Sequence, residues 1–113
     1  MTEVRRGDVF LVNFNPARGS EQAGLRPALV IQNDVGNRTS PTTTVAAITT
    51  AIHKSYPFLV LLEAGEGGLA KDSVVNAAQI LTIDQTRLIK KVGSLAGKKM
   101  RDVDQAIRIS LGL

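Results

Sequence analysis

One stretch of this sequence concentrates groups suited to holding an anion. Gly19-Ser20-Glu21-Gln22-Ala23-Gly24-Leu25-Arg26-Pro27 sets small and polar residues beside an arginine, then fixes the chain with a proline. A guanidinium at Arg26 can clamp a phosphate with two parallel N–H donors, and Ser20, Gln22 and the amides around Gly19 and Gly24 can add more. Spacing alone equally allows a surface arginine after an ordinary loop. A second candidate is Thr49, at the end of a Thr-, Val- and Ile-rich run. Its hydroxyl can donate to a phosphate oxygen, or the residue can be there for its β propensity.

Other reactive groups are few. Cysteine is absent, which removes thiolate nucleophiles, disulfides and sulfur-ligated zinc and suits a reducing cytoplasm. The single histidine, His53, rules out a two-histidine acid–base pair within one chain and reads as a solvated loop residue more readily than as a catalyst. Glu63, Glu66, Asp72 and Asp84 lack metal-ligand spacing, so no metal or other cofactor is expected. Asp8 reads as a turn residue. The pairs Lys90-Lys91 and Lys98-Lys99, with Arg101, fit RNA attraction or a solvated strand edge and helix start. A net charge of +4 and a pI near 9.9 favour a polyanionic partner, although a plain basic surface gives the same totals.

The elements that must position these groups are mostly strands. With 113 residues the chain, 1–113, is expected to form a single domain. Aromatic residues make up 4% of it and Trp is absent, so aliphatic side chains fill the core and stacking platforms for bases are scarce. Val9, Phe10, Val12 and Phe14 mark a first strand, opened by Arg6-Gly7-Asp8. Residues 15–25 read as a loop, 27–32 as a nearly all-apolar second strand, and 33–41 as a break. Residues 42–50 are a third strand. Shorter strands are expected over 58–62, 73–75 and 79–83, with another over 91–95. Met100, Val103, Ala106, Ile107 and Leu111 recur at helical spacing. Short strands followed by one terminal helix predict a small curled antiparallel sheet or barrel capped by that helix. The N-terminal residues lack an apolar signal core, and the apolar run 58–62 is too short to span a bilayer. The expectation is a soluble cytoplasmic protein with no membrane association.

The run 19–27, the opening Arg6-Gly7-Asp8-Val9, the segments Pro27-Ala28-Leu29-Val30-Ile31 and Val45-Ala46-Ala47-Ile48-Thr49, and the strand around Gln79 together resemble the MazF/PemK family of toxins over nearly the whole chain. The run 19–27 is the specific part. The resemblance implies a mainly β fold, an SH3-like small antiparallel barrel with a C-terminal helix, that forms homodimers. It also implies a type II toxin–antitoxin endoribonuclease that cuts single-stranded mRNA at short motifs without a metal and is inhibited by a cognate MazE-like antitoxin. On the same basis Arg26 and Thr49 carry the reaction, while Gly19, Ser20, Glu21, Gln22 and Gln79 line the RNA groove.

That chemistry is plausible for these residues, because RNA supplies its own nucleophile. A 2′-hydroxyl placed in line attacks the adjacent phosphorus, leaving a 2′,3′-cyclic phosphate and a 5′-hydroxyl. Arginine as the general base would need to give up its proton near neutral pH, at a cost of roughly 7 kcal/mol. Arg26 therefore reads as an electrostatic clamp, with any proton-transfer role taken from the resemblance alone. The rival reading, from the same barrel architecture, is a non-catalytic poison of DNA gyrase like CcdB. Those proteins grip their target with a C-terminal Trp-bearing tail, whereas this chain ends Ser110-Leu111-Gly112-Leu113 and has no Trp.

Overall fold

The computed structural model describes residues 3–15, 24–50 and 55–113. Six strands form one sheet: β1 (Asp8–Asn13), β2 (Leu25–Val30), β3 (Thr42–Thr50), β4 (Leu59–Leu62), β5 (Ser73–Asp84) and β6 (Leu88–Ser94). Their spatial order is β4-β5-β3-β2-β1-β6, and every neighbouring pair is antiparallel. Among the described residues two α-helices accompany the sheet, α1 (Asp34–Thr39) and α2 (Gly97–Leu111).

Alternation along the strands divides the apolar residues between two faces, as a period of two requires. Val9, Leu29, Ala46, Ile48, Val60, Leu62 and Val75 form one buried cluster, onto which α2 lays Met100, Val103 and Ala106. Phe10, Val12, Phe14, Ala28, Val30, Val45 and Ile83 form the other. A fully buried aliphatic side chain contributes about 1.5–3 kcal/mol, so the two clusters supply most of the drive to curl the sheet. Helix α2 stops at Gly112, whose left-handed backbone (φ 72°) lets its N–H bond back to the Arg108 and Ile109 carbonyls.

The edge strands do not pair with each other, so the barrel is an open one. Its gap is covered by the turn after β4, where Gly67 and Gly68 lie directly on β6. A Cβ on Gly68 would stand 2.2 Å from the Val92 carbonyl oxygen, and one on Gly93 would stand 2.5 Å from that of Gly67. Only glycine permits two backbones to meet this closely.

The Arg-Gly-Asp opening is a structural tie. The Asp8 carboxylate, 5% exposed, accepts from the Arg5 amide at 3.0 Å and from Lys91 Nζ at 3.3 Å. Arg6 donates its backbone N–H to Asp34, its Nε to the Ile31 carbonyl and its Nη2 to Asp104 on α2, at 2.7, 2.8 and 2.6 Å. The segment read as a break holds α1, which begins at Asn33, whose side chain accepts from the Gly36 amide at 2.8 Å. Buried Asn37 in α1 accepts from the Thr43 hydroxyl at 2.7 Å, fixing the helix to β3.

Candidate active site

Strand β2 begins earlier than its apolar run suggests. Leu25 and Arg26 already pair with Asn13 and Val12 of β1, so Arg26 stands within the strand instead of at its mouth. On its other side β2 pairs with β3 from Val30↔Val45 to Ala28↔Ala47. Pro27, which has no N–H, ends that ladder. Continued two residues past its last pair, this register sets Arg26 toward Thr49. Both side chains belong to the face that carries Ala28, Val30, Val45 and Ala47. Arg26 is exposed and Thr49 half-buried.

Recorded pairs extend this line outward from both residues. Leu88 pairs with Val12, Val12 with Arg26, Thr49 with Val74 and Val74 with Leu61. The guanidinium and the hydroxyl thus come from neighbouring central strands, Arg26 paired with β1 and Thr49 with β5. A phosphodiester lying over the rung would meet a bidentate cation and a neutral donor together.

Gln79 reaches the same neighbourhood through an irregularity in β5. The two strands expected over 73–75 and 79–83 are one strand, interrupted where Asn76 pairs with Ala47 and Ile80 with Ala46, leaving residues 77–79 as a bulge. The Asn76 carboxamide oxygen accepts from the Ala78 amide at 2.9 Å, and the Ala77 amide donates to the Phe58 carbonyl at 2.9 Å. Half-buried Gln79 therefore sits beside Ala46 and Ala47, a short step along β3 from Thr49. Its amide carries both donors and acceptors, as reading the edge of an unpaired base requires.

Gly19, Ser20, Glu21, Gln22 and His53 lie outside the described residues. The ends of the 15–25 segment are visible, and they are pinned. Phe14 N–H donates to the Gly24 carbonyl and Gly24 N–H to the Asn15 side chain, both at 3.0 Å.

Several charged groups singled out in the sequence have structural partners. Lys91 pairs with Asp8, and Lys99 Nζ reaches Glu66 at 3.6 Å and the Leu61 carbonyl at 3.2 Å. Glu66, Asp72 and Asp84 accept from the backbone amides of Glu63, Ala64 and Thr86 at 2.7, 2.8 and 2.9 Å, so each carboxylate shapes a turn. The Thr86 amide and hydroxyl hold the Asp84 carboxyl below the usual carboxylate range.

Comparison with known proteins gives this rung its context. Residues 5–111 match the family described as PemK-like, MazF-like toxin of type II toxin-antitoxin system. The chain belongs to that family. One curated relative, Endoribonuclease MazF of Staphylococcus saprophyticus, is 51% identical over 97% of this chain and 92% of its own length. A crystal structure of MazF from Deinococcus radiodurans superposes with a TM-score of 0.85 at 27% identity, covering all of both chains. A MazE-MazF crystal structure from the same organism gives a TM-score of 0.80 at 27% identity over all of this chain and 99% of that one. As a MazF/PemK-family member, the chain has the mainly β architecture with a C-terminal helix that its sequence implied. Sequence reading passed over Asn76 as a shaper of the bulge and Asn15 as a loop fastener. The signals for them, single asparagines beside turn-forming residues, are common to many loops.

Proposed function

We propose that this chain is the toxin of a type II toxin–antitoxin system, an endoribonuclease that cuts single-stranded RNA and is silenced by a cognate MazE-like antitoxin. Family membership and the 51% identity to an endoribonuclease carry the activity. The antitoxin follows from the family description and from the MazE-MazF assembly of a structural relative. The β2–β3 register, which continued past its last pair sets Arg26 toward Thr49, supports the proposed site.

In the reaction, Arg26 grips the non-bridging oxygens of the scissile phosphate, and its positive charge answers the extra negative charge that develops there as the 2′-oxygen attacks. Thr49 donates its hydroxyl to one of the same oxygens, and Gln79, with Gly19, Ser20, Glu21 and Gln22, holds the flanking nucleotides. The P–O5′ bond breaks as the P–O2′ bond forms, so the products end in a 2′,3′-cyclic phosphate and a 5′-hydroxyl. This route needs no metal or other cofactor, because the nucleophile belongs to the substrate. A duplex is spared, since in-line attack requires a strand that can splay.

An extended acidic antitoxin segment suits the same groove, where it would cover Arg26. The protein works as a cytoplasmic homodimer in a single domain. Among the described residues no helix is long and apolar enough to cross a membrane. Incubating RNA oligomers of varied sequence with the purified protein in EDTA, then mapping both new ends, tests this reading. Cyclic phosphates at a short recurring motif are expected; uncut pools, cleavage that requires a divalent ion, or 3′-hydroxyl ends would refute it.

A further inference from the structure

The geometry points to Arg87 as a positioning residue that clamps the strand end from which the candidate RNA loop departs, and so sets Arg26; this rests on the functional reading above. Arg87 closes the short 3-10 turn, residues 85–87, just before β6. Its Nη1 donates to the Asn13 carbonyl at 3.1 Å and also to the Asn15 carbonyl. Strand pairing between β1 and β6 ends at Val12↔Leu88, because the chain turns aside at residue 87. The guanidinium takes over where the backbone ladder stops.

On the other side of the same strand end, Asn13 pairs with Leu25, Phe14 N–H bonds the Gly24 carbonyl and Gly24 N–H bonds the Asn15 carboxamide. Asn13 Oδ1 meanwhile accepts from the Asn15 amide at 3.0 Å. Residues 13–15 are thus gripped between Arg87 and Gly24, and Gly24 is two residues from Arg26. A cation bound to two main-chain carbonyls forms stronger, more directional bonds than a neutral donor would, and it is bought from a residue more than 70 positions away in the chain. Releasing it frees the β1 end on one side and lets the β2 start shift. Displacing a reacting group by about 1 Å can cost on the order of 100-fold in rate.

The test compares Arg87→Ala and Arg87→Lys with the wild-type chain. Arg87→Ala is expected to lower kcat by about 10- to 100-fold with KM changed less than about twofold, and Arg87→Lys to recover part of the loss. Affinity for a single-stranded RNA methylated at every 2′-hydroxyl should keep its wild-type salt dependence. Combined with Arg26→Ala, the second substitution should add little. Amide exchange at Phe14 and Gly24 should quicken in Arg87→Ala, a readout independent of catalysis that still tests the clamp if the wild-type chain cuts no RNA. Should Arg87→Ala fold poorly, Asn15→Ala opens the same clamp from its other end and is expected to reproduce the kcat loss. Wild-type kcat in a folded variant, unchanged exchange at Gly24, or losses that multiply with Arg26→Ala would overturn the inference. So would a salt slope reduced by about 1, the mark of a direct phosphate contact.

Discussion

Continued two residues past its last pair, Ala28↔Ala47, the β2–β3 register sets Arg26 of one central strand toward Thr49 of the next. On the proposed reading the two side chains address one anion, while the Arg26 backbone is paired with β1 and that of Thr49 with β5. Arg26→Ala should reduce cleavage by about 100- to 1,000-fold, the range for losing one preorganised charge-stabilising donor, with circular dichroism and Tm near wild type because Arg26 is exposed. Thr49→Val, which keeps the β-branched shape, should cost less than Arg26→Ala. Single-turnover rates on one RNA oligomer measure both.

Gln79 depends on a bulge that Asn76 shapes through the Ala78 amide. Gln79→Ala and Asn76→Ala should each lower kcat/KM by about five- to tenfold, the scale of one net hydrogen bond. The pair combined should lose little beyond the worse single variant, as expected of residues serving one contact. Competition between RNAs differing at one flanking base reads the effect, and base preference should relax in both variants.

Gly65 and Gly68 share a positive φ, 99° and 79°, but only Gly68 lies against another backbone. Gly65→Ala should cost about 1 kcal/mol, the usual penalty for a side chain in that conformation. Gly68→Ala should cost at least about 1–2 kcal/mol more, because its Cβ would press on the Val92 carbonyl. Urea unfolding of the two variants isolates the contribution of the glycine contact that covers the barrel's gap.

Asp34 has its pKa lowered, chiefly by the Arg6 backbone N–H, which outweighs the opposing effect of burial, and further by the Asn37 amide. A carboxyl with a depressed folded-state pKa stabilises the fold above its unfolded value, about 3.9, and loses that contribution as pH falls through the lower folded value. Asp34→Asn should therefore be less stable than wild type at pH 7, with the gap narrowing below about pH 4. Tm measured against pH for both proteins checks the sign; a gap that widens in acid would contradict it.

Much of this architecture was legible because local patterns and burial agree. The period-two run Val9, Phe10, Val12 and Phe14 and the helical spacing of Met100, Val103 and Ala106 match the faces that are buried. Pro27 suggested a start for β2 at residue 27, yet the strand begins at Leu25, because Leu25 and Arg26 pair with β1, a partner that no local signal names. Residues 73–75 and 79–83 read as two strands because the bulge at 77–79 breaks the alternation. Helix α1 was hidden behind Asn, Asp, Gly and Ser, residues that serve loops and caps alike; Asn37 holds it through a buried bond to Thr43. The register that sets Arg26 toward Thr49 was not legible, and the two were read only as residues a family shares, since register is a property of the assembled sheet. Arg87 was invisible, its partners being main-chain carbonyls far away in sequence.

A double-mutant cycle on the single-turnover cleavage rate decides whether Arg26 and Thr49 act together on one scissile phosphate. If they act as a unit, Arg26→Ala combined with Thr49→Val will be little slower than Arg26→Ala alone. Losses that multiply fully would show two independent contacts and contradict the shared site.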